Sequence, residues 1–228
     1  MKIYKKTMRI VFIILITFFY SCKKEVKTTD NNAIKIKNEK SISEISSKSS
    51  TTDSILFLNL KSSFDDETIK LPCKLNKNDI CVTISISYGW LAYDDQFHYI
   101  FSDNKNIKAF KEKIPKAYLK GEKYKSIIEE IKVNDLEKEE LLKSLISKQT
   151  IDFQNYNQSD FKNKTNKVSG CYITDNNGYS ITFIQNNKYN SYSHYAPLFY
   201  LKNCNDGTVN KVVLEKFIDL LKIWNIKM

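Results

Sequence analysis

The sequence predicts an α+β domain in which helices pack on one face of an antiparallel sheet, and three observations carry that expectation. Asp79–Gly89, DICVTISISYG, places Ile80, Val82, Ile84, Ile86 and Tyr88 at every second position, the period of a strand with one buried face. Two breaks rich in asparagine and glycine separate aromatic runs near the C-terminus and read as hairpin turns. In the last stretch Val213, Phe217, Leu220, Leu221 and Trp224 recur at helical spacing. Strands, then helices, then a meander and a closing helix form an α+β order, distinct from alternating β-α units.

Each element has its own warrant. Ile55–Leu60, ILFLNL, is a short apolar run expected to be the first strand. After a turn at Asp94 and Asp95, Phe97, Tyr99 and Phe101 alternate as a further strand. Ile107, Phe110, Ile114 and Tyr118 then fall at spacings of three and four, predicting a helix that Pro115 kinks or ends and Gly121 closes. Tyr124, Ile127, Ile128 and Ile131 predict a second, short helix. Asn134 and Glu137 form a capping pair for a third, whose stripe is Leu136, Leu141, Leu142, Leu145 and Ile146. The runs VSGCYIT, GYSITFIQ and KYNSYSHYA, parted by Asp175–Gly178 and by Asn186–Asn187, predict a three-stranded meander over about 168–195. Asp206, Gly207 and Thr208 lead into the closing helix.

The N-terminus has a different character. Lys2, Lys5, Lys6 and Arg9 precede an uncharged run of eleven residues, Ile10–Tyr20, IVFIILITFFY. At about 1.5 Å per residue a helix of that length covers about half of a roughly 30 Å hydrocarbon core, so it fits a signal-peptide apolar region better than a membrane span. Ser21 and Cys22 follow, and charge begins at once with Lys23 and Lys24. Phe19 defeats a conventional cleavage site, which takes small residues at the last and third-last positions. The arrangement resembles the lipobox of bacterial lipoproteins, with Phe19 standing where leucine is typical. That resemblance implies cleavage after residue 21 and acylation of Cys22, and several acyl chains hold a protein on a membrane far more firmly than one. Lys23 is not the aspartate associated with inner-membrane retention, so the expected address is the cell envelope, on the outer membrane facing the periplasm, with surface display open.

Glu25–Asp53 is rich in Ser, Thr, Lys, Asn and Glu, has no aromatic residue, and reads as a flexible tether. On flexible-chain scaling its reach is roughly 30 Å. The expected organisation is a leader over 1–21, the lipidated cysteine and tether over 22–53, and one globular domain over 54–228.

Composition limits the partners. The formal charge is +10, yet Arg9 is the single arginine and lies in the leader. Losing Lys2, Lys5, Lys6 and Arg9 takes four from +10 and leaves +6, all on scattered lysines. Planar bidentate recognition of phosphate is arginine chemistry, so nucleic acid is not an expected partner. The expected partners are the membrane, through the lipid, and a protein or glycan ligand in the envelope.

With Cys22 spent on lipid, Cys73, Cys81, Cys171 and Cys204 remain for disulfides, and locality favours Cys73 with Cys81 and Cys171 with Cys204. Their spacings match neither a zinc site nor a C-x-x-C redox pair, and no metal or cofactor is expected. Asp175–Gly178 lacks the later glutamate of a calcium loop and is explained as a turn. The two histidines, His98 and His194, are the weak candidates for acid–base chemistry, with Asp94 or Asp95 as carboxylate partners. The densest unusual feature is Asn186–Leu201, where Tyr189, Tyr192, His194, Tyr195 and Tyr200 suggest a binding face. The expected function is therefore a membrane-tethered, non-catalytic binding or inhibitor-like domain; the alternatives are an envelope hydrolase and a structural envelope lipoprotein.

Overall fold

A computed structural model describes residues 56–63, 69–102, 106–119, 121 and 123–228. The leader, Cys22, the tether and Ile55 lie outside the described residues. The strands are β1 (Ser62–Ser63), β2 (Ile80–Ser87), β3 (Tyr93–Phe101), β4 (Ile107–Pro115), β5 (Ile127–Ile131), β6 (Gly178–Gln185) and β7 (Lys188–Tyr195). The helices are α1 (Asp135–Ile146), α2 (Lys148–Phe153), α3 (Pro197–Asn203) and α4 (Lys211–Ile223), with a 3₁₀ turn at Gln158–Phe161. The strands form one antiparallel sheet of order β1-β7-β6-β2-β3-β4-β5. The fold is α+β, as the sequence predicts.

The core lies between one face of the sheet and the helices. Ile80, Val82 and Ile84 alternate inward from β2 and meet Ile181 and Phe183 of β6, while α4 presents Leu214, Phe217, Ile218 and Leu221. Phe153 of α2 and Phe161 both pack against Phe217. Trp224, just past α4, closes the far end against Tyr99, Phe101 and Phe183 and donates its Nε1–H to Thr150. Burying a side chain such as Phe217 contributes about 1.5–3 kcal/mol, which is why α4 holds against the sheet. Asn134 caps α1 through its side chain, and Glu137 bonds back to the Asn134 N–H at 2.8 Å, completing the capping box.

Several elements differ from expectation, each for a physical reason. The helix expected from Ile107 to Tyr118 is β4: Ile107 and Ala109 face the helices, Phe110 faces the other side, and apolar residues on both faces erase the two-residue period. The second expected helix is β5, an edge strand paired only with β4, whose apolar residues also fall on both faces. Asp94 and Asp95 lie inside β3 rather than in a turn, and Gly89–Ala92 makes the connection instead. The meander is a hairpin: Asn186 and Asn187, with φ of 52° and 57°, turn β6 into β7, but Val168–Thr174 forms no strand.

Leu56–Leu60 is not a ladder strand either. Its backbone bonds go to amide side chains that imitate a neighbouring peptide. Leu58 N–H donates to Gln185 Oε1 at 3.0 Å while Gln185 Nε2 donates to the Leu56 carbonyl at 2.8 Å. Lys61 N–H and the Asn59 carbonyl meet Asn190 in the same way. On the sheet's opposite face Cys81, Ile100 and Ile184 form a second, small apolar cluster covered by Ile69, Leu71, Cys73 and Leu75.

Candidate functional site

A cavity of about 440 Å³ opens where β7 ends. Three segments build it. The strand stops at Tyr195, the single residue Ala196 turns the chain, and Pro197 starts α3. Ala196 sits in the left-handed region with φ of 47° and ψ of 49°, a conformation that costs an alanine about 1–2 kcal/mol. That one-residue corner sets Tyr200, on the first turn of α3, edge-on to His194 with ring centroids 5.4 Å apart. Phe161 flanks the same imidazole at 5.5 Å.

The second segment is the 3₁₀ turn. The outer edge of β7 at Ser193 is not paired by a strand, and Gln158 takes that place: Ser193 N–H donates to Oε1 and Nε2 donates to the Ser193 carbonyl, both at 2.8 Å. The third is the chain from Lys162 to Cys171, which carries no helix or strand after its bridge to Val209. Asn163 Nδ2 ties its start to the Gly207 and Val209 carbonyls, and past that point two devices hold it. Cys171 is bonded to Cys204, and Asp206 accepts from Ser169 Oγ at 2.8 Å and from Gly170 N–H at 3.0 Å. Asp206 also accepts from Thr208 Oγ1 at 2.6 Å and from Thr208 N–H at 2.9 Å. These donors, the Thr208 hydroxyl first, hold the Asp206 carboxyl well below the usual carboxylate range.

His194 is the imidazole of the cavity. Its Nδ1–H donates to the Tyr195 carbonyl at 2.8 Å, so in the neutral ring Nε2 is the free acceptor. Burial pushes its pKa below the ordinary histidine value, and the carbonyl bond only partly opposes that. Tyr195, more exposed, has its hydroxyl fixed by the Asn176 N–H at 2.8 Å.

The expected binding face divides. His194, Tyr195 and Tyr200 line the cavity. Tyr192 does not: it is 1% exposed, packs edge-on against Phe153, and donates its hydroxyl to the Tyr156 carbonyl. Tyr189 lies with the small cluster on the opposite sheet face, as strand alternation requires. Lys162, Lys167 and Gln158 belong to the cavity and were not foreseen, because contacts distant in sequence bring them there: Gln158 to Ser193, Lys162 to Val209 and the Cys171–Cys204 bond.

His98 forms a separate arrangement. It is 0% exposed on β3, its Nδ1 3.1 Å from Thr83 Oγ1 and its Nε2 3.3 Å from Glu112 Oε2. An ionised carboxylate only accepts, so Nε2 carries the proton and Nδ1 accepts from Thr83. Burial lowers the His98 pKa, and Glu112 offsets part of that. The carboxylate partner is thus Glu112, not Asp94 or Asp95. Asp94 pairs with Lys116 at 2.6 Å and accepts from the Tyr88 N–H, and Asp95 accepts from the Tyr88 hydroxyl and pairs with Lys111. Thr83 lines a groove of about 190 Å³ on the open sheet face, and His98 lies beneath it.

No protein-family model matches this chain, and no curated protein matches it.

The cysteine pairing is half as expected. Cys171–Cys204 is formed, whereas Cys73 and Cys81 are free thiols. Cys81 is wholly buried within β2 beside Ile100 and Ile184, and burial pushes its thiol up to about 12, where it behaves as a small apolar residue. Cys171, Cys204 and Asp206 cluster closely enough to suggest metal ligands, but both sulfurs are spent on the disulfide.

Proposed function

We propose that the chain is a lipid-anchored envelope lipoprotein whose α+β domain is a non-catalytic, inhibitor-like binding module that takes its ligand at the His194 cavity. The observation that carries the binding part is the cavity itself. At about 440 Å³ it lies within the size range of small-ligand sites, roughly 300–1,000 Å³, and it joins aromatic walls to a few aimed polar groups. The anchor rests on the run Ile10–Tyr20 and on Ser21-Cys22, and the address on the outer membrane, facing the periplasm, rests on Lys23. No helix among the described residues is long and apolar enough to cross a membrane, a fact compatible with an acyl anchor.

Two experiments test the parts separately. Radiolabelled palmitate should enter the wild-type protein and not Cys22→Ser, and equal labelling of the two ends the anchor. Envelope extract passed over immobilised protein should yield a partner that Tyr200→Ala retains poorly, whereas equal retention removes the cavity from the binding surface.

An envelope hydrolase is the second reading, and the observation that favours it is the Glu112–His98–Thr83 chain. Its test is the loss of turnover on ester substrates in Thr83→Val with the fold intact.

A further inference from the structure

The cavity beside His194 has a lining of one sign. Its side chains include Lys162 and Lys167 and no aspartate or glutamate. Neither ammonium is ion-paired to a carboxylate among the described residues. Two carboxylates bonded to the segments that build the cavity are already engaged: Asp206 accepts from Thr208, Ser169 and Gly170, and Asp160 caps its own turn through the Asn157 N–H. A lysine-rich chain does not produce such a lining automatically. The cavity of about 270 Å³ beside Trp224 is lined by Glu137 and Glu140 and by no lysine.

His194 adds a directional group. Every buried side-chain nitrogen or oxygen among the described residues has a partner, and Nε2 has none, so Nε2 faces open space. The rings of Phe161 and Tyr200 fix the plane in which it points. A neutral imidazole offers an acceptor there; an arriving anion favours the protonated ring, which offers a donor. Phe161, Tyr200 and Val209 supply the apolar part of the same lining.

We propose that this cavity binds a ligand group joining an aromatic ring to one carboxylate, with Lys162, Lys167 and His194 Nε2 receiving the anion and Phe161 and Tyr200 the ring. The inference rests on the binding reading above and names the chemistry of that same site. Two sources carry this group: a free aromatic acid, or a peptide chain ending in an aromatic residue.

The test uses the full chain in neutral detergent, titrated calorimetrically with 2-naphthoate and its uncharged isostere 2-naphthamide. A second pair, acetyl-Ala-Phe with a free carboxylate and the same peptide as its amide, separates the two sources. In each pair the acid should bind about tenfold or more tightly than the amide, since charge-assisted bonds are the stronger ones. The double variant Lys162→Ala, Lys167→Ala should weaken the acids by about three- to tenfold and leave the amides unchanged. Binding of an acid should take up a proton, read as a dependence of the heat on buffer ionisation, and His194→Gln should abolish that uptake. The charged or titratable groups around His194 are Lys162, Lys167, Tyr195 and Tyr200 in the cavity and Tyr179 opposite it on β6, so no carboxylate competes for the proton. Equal binding of acid and amide, lost in Tyr200→Ala, overturns the anion inference while the binding reading stands. If neither member of either pair binds, both fail at this cavity.

Discussion

Breaking Cys171–Cys204 is the perturbation whose size can be worked most directly from the structure. The bond spans a sequence separation of 33 residues. The chain-entropy relation for a loop of that length gives about 12.5 cal/mol/K, or about 3.7 kcal/mol at 25 °C, of constraint on the unfolded state. On the native side the cost is local. The chain from Lys164 to Thr174 makes no helix or strand, and apart from the disulfide its attachment outside itself is the grip of Asp206 on Ser169 and Gly170. Cys204 is buried, so Cys171→Ser with Cys204→Ala avoids leaving a hydroxyl in its place.

Urea unfolding followed by circular dichroism reads the effect. With a slope of about 2 kcal/mol per molar urea, the double variant should unfold at about 1.5–2 M less urea. Trypsin should at the same time cut after Lys164 or Lys167 faster than elsewhere in the native domain, because the chain past Asn163 is then held by Asp206 alone. A midpoint within about 0.3 M of wild type, with the thiol count by mass confirming that no other bond has formed, would refute the assignment of this disulfide as the main constraint on the segment.

Four further outcomes follow from named contacts. Iodoacetamide at pH 8 should leave Cys81 unmodified in the native protein and modify it on unfolding, since burial lifts its thiol to about 12; peptide mass spectrometry reads this, and prompt native labelling contradicts its burial. Because that pKa is raised in the fold, its contribution to stability is complete below the unfolded thiol value and falls as pH rises toward 12. Asp206 is the opposite case: its folded pKa is depressed, so its contribution is present above the unfolded carboxylate value and lost as pH falls through the folded one, and Asp206→Asn should flatten the acid limb of the stability profile. Thr83→Val should cost about 1–3 kcal/mol in urea unfolding, because it leaves His98 Nδ1 buried without a donor. Phe217→Ala should cost about 3–5 kcal/mol and lower Tm steeply, since the ring is wholly enclosed by Phe153, Phe161 and the β2–β6 face.

What could be read from the sequence depended on whether a pattern was local and one-faced. β2 was legible because Ile80, Val82 and Ile84 all turn to the helices, and α4 because Val213, Phe217, Leu220 and Leu221 form one stripe. The Asn134–Glu137 cap and the Asn186–Asn187 turn were legible because their chemistry lies within a few residues. β4 was not, since Phe110 serves the small cluster while Ile107 serves the large one. Leu56–Leu60 was not, since its partners are the side chains of Gln185 and Asn190, about 130 residues away. The site followed the same rule. His194, Tyr195 and Tyr200 are close in sequence and share the cavity at the end of β7, whereas Tyr192, on the same strand face as His194, is drawn into the core, and Tyr189 lies at the other end of the strand against the small cluster. Lys162 reaches the cavity through its bridge to Val209, and the chain carrying Lys167 is tied down further along by Cys171–Cys204, so that pairing was the one signal in the sequence that pointed to their segment.

The two histidines divide between them what an acid–base catalyst needs in one place. A general base must reach the reacting group within hydrogen-bond distance while a second group sets its tautomer and charge. His98 has the carboxylate, Glu112, but no access: its ring is fully enclosed, both nitrogens are engaged, and of the three residues only Thr83 lines the groove. His194 has the access but no carboxylate: its Nδ1–H is held by a peptide carbonyl, and no acidic side chain lines its cavity. A peptide carbonyl orients an imidazole without supplying the charge that stabilises the imidazolium formed during proton transfer, so His194 is better equipped to hold an anion that itself supplies the charge. His98 in turn has the properties of a satisfied buried polar link across three strands, Thr83 on β2, His98 on β3 and Glu112 on β4, which fixes their register on the face the helices do not cover. On this division the proposed ligand belongs at the His194 cavity, and the buried relay ties together the three strands it spans.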